Sequence, residues 1–273
     1  MIRLPFIILL GVALAAFAPA QPPSTSFSSQ TQPAGRKPPE AKTQAEFKDY
    51  NAAYAVTGGA AMEKTAADFA AKYPASELRP YLYSKAMHEY QTENNAAKTV
   101  AMGEQVLALD PNDPVALALT ATVLSDNLSD ADPDRPKKIA EIRKNAAHAL
   151  ETIDTGLATP ANSSPEQIAA YKNTLRSMAH AALGITALKT GDDAGAEKEL
   201  KAATELNKNQ PDPYLWYHLA LSQDHQKKFA DALASVKEAQ RYAKPEEELG
   251  KLAQGERERL ELLLKPVIDD RVK

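Results

Sequence analysis

Small apolar residues recur at matching intervals in the second half of the chain. Glycine or alanine occupies three positions spaced by twelve and then seven residues, and the second set lies 36 residues after the first: Gly184, Ala196 and Ala203, then Ala220, Ala232 and Ala239. Two antiparallel helices approach closely only where small side chains face each other. The spacing therefore predicts two successive units, 177–210 and 213–246, each a helix, a tight turn and a second helix.

Weaker versions of this pattern come earlier in the chain. Residues 80–113 fit it, with Thr99 at a position where alanine is expected. Residues 43–76 fit less closely, and residues 114–153 form a broken unit that carries an insertion at 125–135. The pattern thus predicts five helical hairpins, three of them before the well-matched pair.

Two further helices are predicted from their ends. Ser164-Pro165-Glu166-Gln167 has a serine cap, a proline in the first turn and a glutamine three residues after the serine, so a long helix should begin there and reach about Lys189. Residues 245–264 begin with acidic residues and carry leucines toward one face: Leu249, Leu252, Leu260 and Leu263. This segment is predicted to be a terminal helix that covers the last hairpin.

The N-terminal residues have a different pattern. Arg3 precedes an apolar run from Ile7 to Ala18, and Ala18-Pro19-Ala20 is typical of a cleavage site. An uncleaved anchor is the rival interpretation, but the run is shorter than the roughly 20 residues that span a bilayer. Residues 1–20 are therefore predicted to be a cleaved signal peptide, which leaves no stable membrane span and a periplasmic or secreted protein. Residues 21–41, rich in proline, serine and glutamine, are predicted to be a disordered linker.

Composition and charge narrow the possible functions. Hydrophobic residues make up 44% of the 273 residues but aromatic residues only 6%, which favours alanine- and leucine-rich helices over other folds. The net charge of -4 provides no broad cationic surface for a phosphate backbone, so nucleic acid is not expected as a partner. The chain contains no cysteine, which excludes disulfides and lipid-modified cysteine anchors.

The two well-matched units resemble the tetratricopeptide repeat family, whose roughly 34-residue pattern runs W-x2-L-G-x2-Y, then A, then A and P. Leu183-Gly184 and Trp216 with Leu219 carry the resemblance on the first helices. It implies an all-α fold over residues 42–265, an α-α superhelix of antiparallel helix pairs with a C-terminal capping helix. It also implies a concave groove lined by the first helix of each pair.

The resemblance implies which residues line that groove: Tyr81, Ser84, His88, Gln91, Met178, Ala181, Ile185, Leu188, Tyr214, Tyr217, Leu221, Asp224 and His225. Some family members grip a C-terminal carboxylate with lysine and asparagine, but this chain has Ser84, Ala181 and Tyr217 at those positions. The expected function is a non-enzymatic scaffold of the cell envelope that binds a protein or peptide through apolar and aromatic contacts. Self-assembly through the array ends is a further alternative, against which the charged last helix argues.

The strongest hint of chemistry lies in the insertion. Asp130, Asp132 and Asp134, with Glu141 further on, imitate the spacing of a calcium loop, but Arg135 stands where the sharp turn requires glycine. The alternative function is therefore a ligand- or metal-binding protein, or an enzyme, with its site at residues 126–134 beside the groove.

No local catalytic signature supports an enzyme. The sequence has no glycine-rich phosphate loop and no Gly-x-Ser-x-Gly turn around a nucleophile. His218 and His225 are seven residues apart on one predicted helix, and no third ligand is close in sequence, so they are interpreted as surface histidines. No metal, cofactor or catalytic residue is predicted.

Overall fold

A computed structural model describes residues 39–158 and 163–265. These residues form eleven helices and no strand. The helices are α1 Gln44–Tyr54, α2 Gly59–Lys72, α3 Arg79–Thr92, α4 Ala96–Leu109, α5 Pro114–Asp126, α6 Arg135–Gly156, α7 Pro165–Lys189, α8 Asp193–Leu206, α9 Pro213–His225, α10 Phe229–Tyr242 and α11 Glu248–Leu263.

Each helix packs against the next one along the chain. Odd-numbered helices also contact one another, most extensively α5 with α7 and less so α1 with α3, α7 with α9 and α9 with α11. Hairpins whose first helices touch in succession form an α-α superhelix. The predicted all-α fold is confirmed in this architecture.

Small residues lie where the paired helices meet. Ala196, Ala203, Ala220, Ala232 and Ala239 have no exposed surface. A methyl group on Gly184 would lie 2.7 Å from Cγ of Leu200 on the facing helix α8, so only glycine fits there. The interval of small residues in the sequence therefore reflects close helix approach.

Replacing Ala232 with leucine is expected to lower the free energy of unfolding by about 1–3 kcal/mol, because the α9–α10 contact has no room for a larger side chain. Ala230 is exposed on the same helix, and its replacement with leucine should change stability by less than about 0.5 kcal/mol. Urea unfolding followed by circular dichroism measures both. Equal losses at the two positions would contradict the packing described here.

Helix α7 is the longest element, with 25 residues. Its predicted start is confirmed: the Ser164 side chain accepts a hydrogen bond from the backbone of Gln167, whose side chain accepts one from the backbone of Ser164. The first half of α7 contributes Leu175 to the core formed with α1–α6, and the second half contributes Ile185 to the core shared with α8 and α9. One helix therefore belongs to both parts of the array.

Helix α11 packs on the last hairpin through Leu260, as expected, and through small residues that were not expected. Gly250, Ala253 and Leu260 are buried, whereas Leu252 and Leu263 are 39% and 51% exposed. Small residues let the helix approach the end of α10 closely, and this turns part of the leucine face toward solvent. The helix still covers the last hairpin, because Ala253 and Leu260 share a core with α9 and α10.

The predicted signal peptide, residues 1–20, and the predicted linker up to residue 38 lie outside the described ranges. Across 39–158 and 163–265, no helix combines the length and apolarity that crossing a bilayer requires.

Candidate functional site

The odd-numbered helices carry most of the half-buried titratable groups whose pKa values are shifted by burial. Within the described residues, burial sets the direction of the pKa shift for ten groups, all on odd-numbered helices or at their ends: Tyr50, Tyr54, His88, Asp126, Tyr171, Lys189, Asp212, Tyr214, Tyr217 and His218. All except Tyr50 are only half-buried. These side chains are therefore partly shielded from solvent by the surrounding helices.

Pairing sets the pKa shifts of other groups on odd- and even-numbered helices alike: on α1, hydrogen bonds from Lys72 and Tyr73 lower the pKa of Asp49. The pKa of Glu63 on α2 is lowered by hydrogen bonds from Tyr90 and Lys98, and that of Asp154 on α6 by hydrogen bonds from Arg176 and Lys172. Their shifts follow pairing at an open surface, not loss of solvent. The two kinds of pKa shift thus distinguish groups shielded by burial from groups held by a charged or hydrogen-bonding partner.

Helix α3 supplies one end of the predicted groove. Tyr81, Ser84, His88 and Gln91 are all half-buried. Nδ1 of His88 lies 3.4 Å from Oε1 of Gln91, and burial lowers the pKa of this histidine. The four residues expected on this helix therefore share one partly accessible surface.

The predicted α7 residues occupy a different position. Met178 and Ile185 are buried, as is Ala181, because α7 is enclosed by α5, α6 and α8. Met178 belongs to the core formed with α1–α6, and Ile185 to the next core. These side chains hold the helices together and do not line an open groove. Leu188, near the end of α7, is half-buried.

Helix α9 places Tyr214, Tyr217 and Leu221 at the half-buried surface. Its last predicted residues are engaged elsewhere. Asp224 forms an ion pair with Arg259 of α11 at 2.6 Å. His225 is exposed, and its Nδ1 lies 2.9 Å from Oδ1 of Asp193 on α8. The predicted groove residues of α9 that do not take part in these two contacts are therefore Tyr214, Tyr217 and Leu221.

A polar cluster that the sequence did not predict lies between α5, α7 and α9. Asp126 ends α5, Lys189 ends α7, and Asp212 caps the N-terminus of α9, where Tyr214 and His218 follow. The hydroxyl of Tyr214 lies 3.5 Å from Oδ1 of Asp126. We call these five residues the groove centre.

Lys189 is committed to the backbone of α5. Its Nζ donates to the carbonyl oxygens of Ser125 at 2.7 Å, Asp126 at 2.8 Å and Leu128 at 3.2 Å. Three donors meeting three acceptors satisfy an ammonium group completely. In return, Arg135 donates to the carbonyl oxygen of Lys189 at 2.6 Å. Lys189 thus ties the end of α5 to α7 without an ion pair to the Asp126 carboxylate.

Asp126 has an unusual acidity. Burial raises its pKa to about 7; the positive charge of Lys189 opposes this rise and the negative charge of Asp212 adds to it. Burial also raises the pKa of Asp212. The negative charge of Asp212 therefore acts on Asp126, and no base among the described residues forms an ion pair with either carboxyl group.

His218 has a defined proton position. Nδ1 lies 2.8 Å from the carbonyl oxygen of Tyr214, which can only accept, so Nδ1 carries the proton and Nε2 is an acceptor. Burial lowers its pKa to about 4, so the ring is neutral at pH 7. The His218 ring lies 4.1 Å from that of Tyr214 and 5.8 Å from that of Tyr217, measured between centroids.

The acids of the insertion pair with neighbouring bases. Asp130 lies 3.0 Å from Arg135, while Asp132 and Asp134 lie 3.1 and 3.4 Å from Lys138. No three histidine or acidic side chains in residues 39–158 and 163–265 are grouped so that they could hold a metal ion. Arg135, at the position where a calcium loop needs glycine, holds the segment through charge.

No protein-family model matches the chain, and no curated protein matches it.

Proposed function

We propose that this protein is a non-enzymatic scaffold that binds a segment of a partner protein in the concave groove of a tetratricopeptide-like array. The observation that carries the proposal is the set of half-buried aromatic side chains on successive odd-numbered helices, which includes Tyr81 on α3, Tyr171 on α7, and Tyr214 and Tyr217 on α9. A concave surface of this kind excludes water from a bound segment. Its tyrosines offer large contact areas that lose little conformational entropy on binding.

Two features favour a scaffold over a metal-binding or enzymatic protein with its site at residues 126–134. Asp130, Asp132 and Asp134 of that segment are engaged with Arg135 and Lys138, which leaves these three acids poorly placed to hold an ion. The N-terminal sequence further supports export, so we place the proposed partner in the cell envelope.

Photocrosslinking from single positions tests the proposal. A benzophenone-bearing residue replaces Tyr81 or Tyr217 in the groove, and in matched controls it replaces Lys198 or Lys237 on outer helices α8 and α10, where the lysine side chains are 82% and 53% exposed. We expect the groove positions to give the same crosslinked protein in the native envelope, and the outer positions to give none of it. A product formed equally from both faces would count against groove binding.

Replacing Tyr214 and Tyr217 together with alanine should weaken partner capture by about 1–2 kcal/mol or more, because both rings lie on the accessible surface of α9. Tyr242, exposed at the end of α10, provides the control substitution to alanine. Crosslink yield from Tyr81 measures capture, and circular dichroism checks that each variant is folded. Unchanged yield in a folded double variant would show that these tyrosines do not contact the partner.

A further inference from the structure

The groove centre contains several hydrogen-bond acceptors. The Asp126 and Asp212 carboxylates and Nε2 of His218 all accept hydrogen bonds, and Asp212 uses part of its capacity on the backbone N–H of Tyr214 at 2.9 Å. The donors of Lys189 are occupied by three carbonyl oxygens. A ligand that completes this arrangement must bring donors.

Charge points in the same direction. Asp126 and Asp212 carry two negative charges when both are ionised, against one positive charge on Lys189. Two helix C-termini, those of α5 and α7, also meet one N-terminus, that of α9, so two partial negative charges lie beside one partial positive charge. The nearby base Arg135 is paired with Asp130 and with the carbonyl oxygen of Lys189. The groove centre therefore favours a cation.

The aromatic rings beside the acids fit a flat cation. The His218 ring is tilted against the ring of Tyr214 and lies edge to face with that of Tyr217, and all three side chains are half-buried on α9. Guanidinium groups stack on aromatic faces and present five N–H donors in a planar fork. An ammonium group offers three donors and no plane, so it matches less well.

We infer that the groove centre receives an arginine side chain of the partner segment, held by Asp126, Asp212 and His218 against the rings of Tyr214 and Tyr217. This inference rests on the proposed groove-binding function and names the chemistry that the partner must supply. It sets this chain apart from arrays that use groove lysines to hold a carboxylate.

Peptide selection with a double-mutant cycle tests the inference. Random dodecapeptides displayed on phage are selected on the full chain, and calorimetry measures the dissociation constants of synthetic copies. We expect selected peptides to share one arginine, and its replacement with citrulline, which is neutral and nearly the same shape, to weaken binding at least about tenfold. Lysine at that position should give intermediate affinity.

Asp126→Asn should remove most of this preference, so that arginine and citrulline peptides then bind within about twofold of each other. Asp212→Ser is a second variant, since serine can still cap α9. Asp68→Asn, on α2 with its side chain 67% exposed, is the control and should leave the preference intact.

Binding should also strengthen between pH 6 and 8 in the native protein and stay flat in Asp126→Asn. Asp126, with its pKa near 7, must ionise to hold the guanidinium. The groups that interact with it are Lys189 from α7 and Asp212 and Tyr214 from α9, while Asp130, Asp132 and Arg135 act on Lys189. His218 stays neutral throughout this range because its pKa is about 4.

The outcomes separate the two proposals. Peptides that crosslink to Tyr81 or Tyr217 but show no arginine preference, or an equal preference in Asp126→Asn, would overturn the inference and leave groove binding in place. If no selected peptide binds in the groove, both the proposed function and the inference fail.

Discussion

Replacing Gly250 with alanine should detach α11 from the last hairpin, and replacing Gly255 with alanine in the same helix should do the opposite. A methyl group on Gly250 would lie 2.1 Å from the carbonyl oxygen of Lys244, a backbone atom that cannot turn aside. A methyl group on Gly255 meets nothing within 4 Å. We expect a loss of about 1–3 kcal/mol or more in the first variant. In the second we expect a gain of about 0.5–1 kcal/mol, because alanine favours the helix over glycine.

Urea unfolding measures both changes, and amide hydrogen exchange locates them. Exchange in α11 should accelerate in Gly250→Ala because Ala253 and Leu260 lose their places in the core shared with α9 and α10. Exchange there should slow in Gly255→Ala. Shifts in the same direction for both glycines would show that α11 is not docked as described.

Replacing Glu197 with alanine should destabilise the C-terminal hairpins by about 2–3 kcal/mol, because a buried carboxylate with charged hydrogen bonds is lost. Glu197, on α8, is 6% exposed. Its oxygens accept hydrogen bonds from Lys201 and Lys228 at 2.6 Å each, from Gln226 at 3.0 Å and from Gln223 at 3.4 Å. This one carboxylate therefore joins α8 to α9 and to the turn before α10.

The effect should depend on pH. Burial alone would raise the pKa of Glu197, but the hydrogen bonds from Lys201, Lys228 and the two glutamines lower it from 4.5 to about 2. A pKa that is lower in the folded state stabilises fully above the unfolded value, and the contribution is lost as pH falls from about 4.5 toward 2. The difference in unfolding free energy between native protein and variant should thus be large at pH 7 and shrink by pH 2.5.

Glu205 is the matched control on the same helix. Its side chain is 64% exposed and pairs with Lys208, also exposed, so Glu205→Ala should cost less than about 0.5 kcal/mol at either pH. Urea titrations at pH 7 and pH 2.5 give the four values. A loss for Glu197→Ala that does not change with pH would mean that packing, not charge, stabilises this contact.

The fold could be predicted because its signals are local. Small residues mark helix contacts, and the Ser164–Gln167 cap marks the start of α7, since both depend on residues a few turns apart. The face of α11 was harder to predict. Leucine spacing suggested Leu252 and Leu263, but the close approach to α10 favours Gly250 and Ala253 instead.

The groove was only partly predictable, for a related reason. Register on a single helix placed Tyr81 and Tyr214 at the accessible surface, but it could not show that α5, α6 and α8 enclose Met178 and Ile185. The groove centre escaped prediction because its members are distant in sequence. Asp126 lies 88 residues from Tyr214, and no spacing along one helix links them.

The length of α7 should change how the array unfolds. Repeat arrays in which each hairpin touches only its neighbours can fray one unit at a time. Here a single continuous helix, α7, buries Leu175 in one core and Ile185 in the next. Local unfolding at either end of α7 should therefore disturb both cores, and we expect the two parts of the array that α7 joins to unfold cooperatively.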